Sequence, residues 1–155
     1  MTDVAQTFLG ESRQYLQGAY LTAIERSVAP LTDAQVWGRP NEASNSIGNL
    51  ILHISGNVRQ WIVAGVGQRP NARNRQQEFD ERGPIPKEQL LARLRTVLSE
   101  ADAVLASVSE AGLTERREIQ GHDTTVLKAI YHVVEHFAMH TGQILWIAKS
   151  KPGAP

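Results

Sequence analysis

Apolar side chains recur at three- and four-residue steps through four stretches of this chain, and each stretch reads as an amphipathic helix. The first covers residues 3–28, with Val4, Phe8, Tyr15, Leu16, Ala19, Tyr20, Ala23 and Ile24 on one stripe and Pro30 as its stop. Residues 30–45 contain Pro30, Gly38 and Pro40. They predict a connecting loop, with one turn around Asp33 to Val36 and Trp37 as a lid on the core. Asn45 or Ser46 suits the N-cap of a second helix over residues 46–66, because a short polar side chain accepts from free backbone N–H groups. Gly65 and Gly67 are expected to end it. Residues 68–86 are rich in Arg, Asn, Gly and Pro and read as a long loop. Pro84 and Pro86 prepare a third helix over residues 87–109, striped by Leu90, Leu91, Leu94, Val97, Leu98, Ala101, Val104, Leu105 and Val108, with Gly112 as its C-terminal cap. Residues 113–122 are polar and extended, with a turn at Gly121-His122-Asp123. Asp123 or Thr124 would then cap a fourth helix reaching Lys149. No segment alternates with strand periodicity over a useful length.

Four helices of about 20 residues each predict an all-α four-helix bundle. The long connections after the first and second helices admit a topology other than simple up-down-up-down. Residues 1–150 read as one domain and residues 151–155 as a flexible tail.

Composition narrows the chemistry. The 16 basic residues equal the 16 acidic ones, so no global field draws the chain to nucleic acid or an anionic membrane. The arginine-rich stretch Arg69 to Arg82 has no interleaved stacking aromatics apart from Phe79, which also argues against nucleic-acid binding. There is no cysteine, so disulfides, thiolate metal sites and a cysteine nucleophile are absent. The N-terminus lacks a basic region followed by an apolar one, and no apolar run approaches a membrane span. A cytoplasmic protein is expected.

Histidine is where the chain carries chemistry. His132, His136 and His140 stand four residues apart. Successive ones project from one helix face. On a wheel of about 100° per residue, His136 sits at the margin of the apolar stripe. His140 lies about 40° toward the core and His132 about 40° toward solvent. His132 and His140 are separated by about 12 Å along the axis, too far to share one ion with His136. His136 and His140 are the pair selected, because His140 is the more buried candidate. His53, on the second helix, occupies a similar margin, with Asn49, Asn57 and Gln60 close by to bond its second ring nitrogen or a bound water. Imidazoles from two helices can therefore hold one divalent transition metal, zinc, nickel or iron, with a coordination position left open. A histidine at a helix margin is also a common satisfied polar residue. His122 reads as a turn residue.

Other residues stay open between two roles. His132 is a rim residue, a proton carrier or a surface histidine. Gln143 lines the pocket or makes an interhelical hydrogen bond. Arg73, Arg75 and Glu78 clamp an anionic substrate or pair with one another. Glycines 56, 65 and 142 are expected to permit close helix packing. His132-Val-Val-Glu135-His136 matches the H-x-x-E-H pattern of one metalloprotease class. Against that reading, Glu135 points to solvent and none of the 19 residues after His136 is acidic.

The runs Asn49 to Trp61, Arg73 to Phe79 and His132 to Ile144 resemble the DinB/YfiT-like superfamily, in its branch of small bacterial proteins. The resemblance covers nearly the whole chain. It implies a four-helix bundle, commonly a homodimer, with one divalent metal on three histidines, here His53, His136 and His140. It also implies relatives that are thiol-dependent transferases or isomerases acting with a low-molecular-weight thiol. The resulting expectation is a metal-dependent transferase or hydrolase of a small-molecule substrate. His132 and Gln143 would be its catalytic residues, and Asn57 and Arg75 would bind the thiol cofactor. The alternative is a non-catalytic, metal-stabilised bundle with a structural, sensing or stress role.

Overall fold

Most of the helices begin where a polar side chain takes up free backbone donors. Asp3 accepts from the Ala5 N–H and opens α1 (Val4–Arg13). The rod continues through a π-helical stretch, Gln14–Tyr20, into α2 (Leu21–Val28). Thr32 and Gln35 form a reciprocal capping box on the short α3 (Asp33–Trp37), and Ser46 and Asn49 form another on α4 (Ile47–Val58). A second π-helical stretch, Arg59–Val66, prolongs α4. α5 (Arg75–Asp80) follows, then α6 (Lys87–Ala106) and a 3₁₀ turn at Ala111–Thr114. Two strands, β1 (Arg116–Ile119) and β2 (His122–Thr125), lead into α7 (Val126–Lys149). The computed structural model describes residues 3–83 and 85–152. The expected helix-priming role of Pro84 and the end of the expected flexible tail, residues 153–155, fall outside them.

The all-α architecture is as the stripes predict, and four long rods pack together. The rod of α1 and α2 contacts both α6 and α7, and the α4 rod also contacts both. The first and second rods therefore sit across one diagonal and the third and fourth across the other, while the second and third are neighbours. The buried interior joins Leu16 and Ile24 to Ile51, Ile54 and Ile62, to Leu90, Leu94 and Leu98, and to Ile130 and Phe137. Burial of these apolar side chains dominates the stabilisation. Trp37 covers one end as expected, with its ring over Gly48 and its indole N–H donating to the Ile85 carbonyl at 2.9 Å.

Several local expectations are corrected. The stretch read as extended and polar is an antiparallel hairpin, Arg116 pairing with Thr125 and Ile119 with His122. Its turn is Gln120-Gly121, both with positive φ (55° and 77°), the geometry of a two-residue hairpin loop. The cap of α7 is consequently Thr125, which accepts from the Lys128 N–H, and not Asp123 or Thr124. Gly65 does not end the second helix. It lies within the π-helical stretch, where a Cβ would meet the Ile119 side chain at 2.5 Å, and Gly67 is the terminator. α6 ends at Ala106 with Ser107 as its cap, and Gly112 falls in the 3₁₀ turn. The long loop after the second helix contains α5, capped by Asn74.

Candidate metal centre

α4 and α7 bring their imidazoles to one point. His53 Nε2 lies 3.2 Å from His136 Nε2, and His140 Nε2 lies 3.1 Å from the same atom. One ring nitrogen from each of the three lies within 4.8 Å of the other two. Two nitrogens bound to one tetrahedral zinc ion at 2.0–2.1 Å stand about 3.3 Å apart, so the spacing suits a metal.

The outer ring nitrogens explain which atoms face inward. His53 Nδ1 is 3.0 Å from Glu78 Oε2. Burial raises the Glu78 pKa, but hydrogen bonds from Arg73 and His53 outweigh it and hold the carboxyl below its ordinary range. An ionised carboxylate only accepts, so Nδ1 carries the proton and Nε2 presents a bare lone pair. His140 Nδ1 is 2.7 Å from Gln143 Oε1, which fixes the second imidazole in the same sense. Two of the three inward nitrogens, those of His53 and His140, thus present lone pairs, an arrangement that a cation satisfies. His136 Nδ1 is buried and has no hydrogen-bond partner among the described residues. Burial, then the neighbouring His140, His53, His132 and Arg73, push the His136 pKa down to about 3. Burial lowers the His140 pKa as well, with the Gln143 bond opposing it and His53 adding to it.

Of the polar neighbours expected to serve His53 from its own helix, Asn49 and Gln60 do so indirectly and Asn57 does not. Its second nitrogen is held from α5, because Gly56 leaves room there: a Cβ on Gly56 would stand 1.9 Å from Glu78 Oε1. Arg73 grips the same carboxylate through Nε (2.7 Å to Oε1) and Nη2 (2.8 Å to Oε2), and its Nη1 donates to Gln60 at 2.8 Å. Of the two roles left open for Arg73 and Glu78, they pair. Asn49, fully buried, donates to the carbonyls of Glu78 (2.8 Å) and Glu81 (2.9 Å), tying α5 down onto α4. Phe79 lies against the His53 ring, with centroids 4.7 Å apart.

The remaining candidates divide. His132 is half-buried and its ring lies tilted against Trp61, with centroids 4.4 Å apart, and 5.4 Å from the ring of His136. Burial lowers its pKa, with Glu135 opposing and His122 assisting. His132, Trp61, His122, Gln120 and Lys128 line a cleft of about 480 Å³. Gln143 is engaged with His140 and also borders an apolar groove of about 510 Å³ with Met139, Gly142 and Trp146. Gly142 therefore serves no close packing, since a Cβ there would meet nothing within 4 Å. Asn57 is buried on α4 but makes no hydrogen bond to the three histidines. Arg75 is exposed, its guanidinium 5.0 Å above the Phe79 ring. The roles of Glu78 and Arg73 toward His53 escaped the sequence reading. The only available signal was their place in the loop motif Arg73 to Phe79.

The family described as proteins of unknown function (DUF1572) matches residues 3–153 of the chain. No curated protein matches it at a significant level. The crystal structure of a conserved protein from Enterococcus faecalis superposes with a TM-score of 0.76 at 16% identity, over 96% of this chain and 97% of that one. A DinB-like protein from Bacillus cereus gives a TM-score of 0.72 at 17% identity, over 95% of this chain and 92% of that one. No helix among the described residues is long and apolar enough to cross a membrane.

Proposed function

This chain belongs to the DinB-like family DUF1572, and from that premise we propose that it is a metal-dependent enzyme whose ion is held by His53, His136 and His140. The observation that carries the reading is the convergence of three Nε2 atoms whose outer nitrogens are tied back at two of the three rings. The ion is a divalent transition metal, zinc, nickel or iron, as imidazole ligands favour. When bound, it supplies Lewis acidity that lowers the pKa of a water or a low-molecular-weight thiol in the open position.

The chain's own residues do the rest. His132, neutral and packed against Trp61, stands at the rim as the base that receives the nucleophile's proton. Gln143 positions His140. Arg75, exposed over Phe79, is the cation that meets the carboxylate of a thiol cofactor. The reaction is transfer of a thiol to a small electrophile, or hydrolysis. A homodimer belongs to the same proposal.

Metal analysis of the purified protein tests this reading. Wild type should carry one equivalent, His53→Ala and His140→Ala should lose it, and His132→Ala should keep it while losing turnover. Loss of the ion in His132→Ala with retention in His140→Ala would show that the wrong pair was chosen. A panel of low-molecular-weight thiols and electrophiles tests the chemistry, and silence across it counts against transfer.

A further inference from the structure

We propose that Arg73 and Glu78 form the positioning device of the metal centre: the carboxylate fixes His53 as an Nδ1–H donor, so that its Nε2 is the atom offered to the ion. The inference rests on the metal reading above and assigns work to two residues outside the ligand set.

Of the three imidazoles, only His53 is backed by an ionised group. Glu78 lies 25 positions from it in sequence and reaches Nδ1 at 3.0 Å. The Arg73 side chain is 4% exposed and the Glu78 side chain 10%, so the pair is desolvated. A buried ion pair of this kind contributes little net stability compared with apolar side chains of equal volume. What apolar side chains would not supply is an acceptor at Nδ1. Arg73 cancels the carboxylate's charge through two hydrogen bonds, so the ligand set remains electrically neutral around the ion. Gly56, three residues after His53, is the space into which the pair fits, its Cβ position 1.9 Å from Glu78 Oε1 and 2.8 Å from Arg73 Nε. The competing contact is Arg73 Nη2 to His53 Nδ1 at 3.2 Å, which would require the opposite tautomer. The shorter contact at Nδ1 is the one to Glu78 Oε2, at 3.0 Å, and a carboxylate only accepts, which argues for the assignment made here.

Two double variants separate positioning from mere support of the loop. Arg73→Met with Glu78→Leu removes both charges and the acceptor. Arg73→Met with Glu78→Gln removes the charges but keeps an amide oxygen for Nδ1–H. With circular dichroism unchanged, the first should bind zinc(II) about 10- to 100-fold more weakly than wild type in chelator competition, the range seen when an outer partner of a ligand is lost. The second should recover affinity to within a few fold. Equal losses in both, or no loss in the first, overturn the proposal. Should the first variant fail to fold, nitrogen-15 spectra of the metal-free wild-type chain decide the matter. His53 protonated at Nδ1 supports the device, and protonation at Nε2 overturns it. A wild-type chain that takes up no zinc overturns the metal reading and this proposal with it, whereas uptake that is indifferent to the first variant overturns this proposal alone.

Discussion

His136 is the residue on which the centre's pH behaviour turns. Its imidazolium is disfavoured first by burial, then by three other histidines and Arg73, so that it titrates at about 3. In the unfolded chain the same group titrates near an ordinary histidine value of about 6.5. Between those values the unfolded state binds a proton that the folded state refuses. Its contribution is therefore fully retained above about pH 6.5 and is eroded as pH falls toward about 3. His140 and His132 shift in the same direction, each chiefly through burial. Glu78 adds to the loss once pH falls through the ordinary carboxylate range, where the unfolded chain takes up a proton that the folded carboxylate still refuses. For metal-free protein, the urea midpoint should decline steadily from about pH 6.5 to about pH 4, and His136→Gln should flatten that decline. A wild-type midpoint that stays level across this window would contradict the assignment. With metal bound, release should need a pH well below that for an exposed imidazole site, because protons compete poorly for His136.

At the scale of elements, α5 depends on Asn49 for its place. That one amide closes the cap of α4 with Ser46, takes a bond from Arg39 at 2.8 Å, and donates to the carbonyls of Glu78 and Glu81. Asn49→Ala leaves these buried partners unmet at about 1–3 kcal/mol each. Trypsin should then cut after Arg73, Arg75 or Arg82 at least about tenfold faster, since cleavage follows the open population. Cleavage no faster than in wild type would show that α5 is held by something else. The same element marks where sequence reading stopped. Apolar stripes are local signals, so the four long helices, the caps Ser46 and Gly67, and the three converging histidines were legible. The Glu78–His53 contact joins polar residues from two elements, and no periodicity announces such a pair. The hairpin was missed because its strands have four residues each and Arg116-Arg-Glu-Ile pairs with His122-Asp-Thr-Thr without apolar alternation. The π-helical stretches were missed because an apolar stripe does not reveal a local widening of the turn.

For the whole molecule, the diagonal arrangement of the rods decides which surfaces remain free. α4 and α7 are neighbours, both sources of imidazole lie within one chain, and α5 packs on the outside of α4. On the solvent side of α7, Leu127, Tyr131, Met139 and Trp146 are 42, 60, 52 and 72% exposed. They fall within an arc of about 120°. They share that arc with Lys128, Glu135 and Lys149, and exposed large apolar side chains along one helix face fit the homodimer proposed with the function. Charge placed there should separate assembly from metal binding. Tyr131→Glu with Trp146→Glu should sediment as a monomer where wild type sediments as a dimer. Because each ligand is supplied from within one chain, zinc affinity should change by no more than a few fold in the same variant. A wild-type protein that sediments as a monomer would remove the dimer from the proposal while leaving the centre intact. A monomeric variant that loses its zinc would show that the pocket needs the second copy, and the three imidazoles of one chain would then no longer suffice.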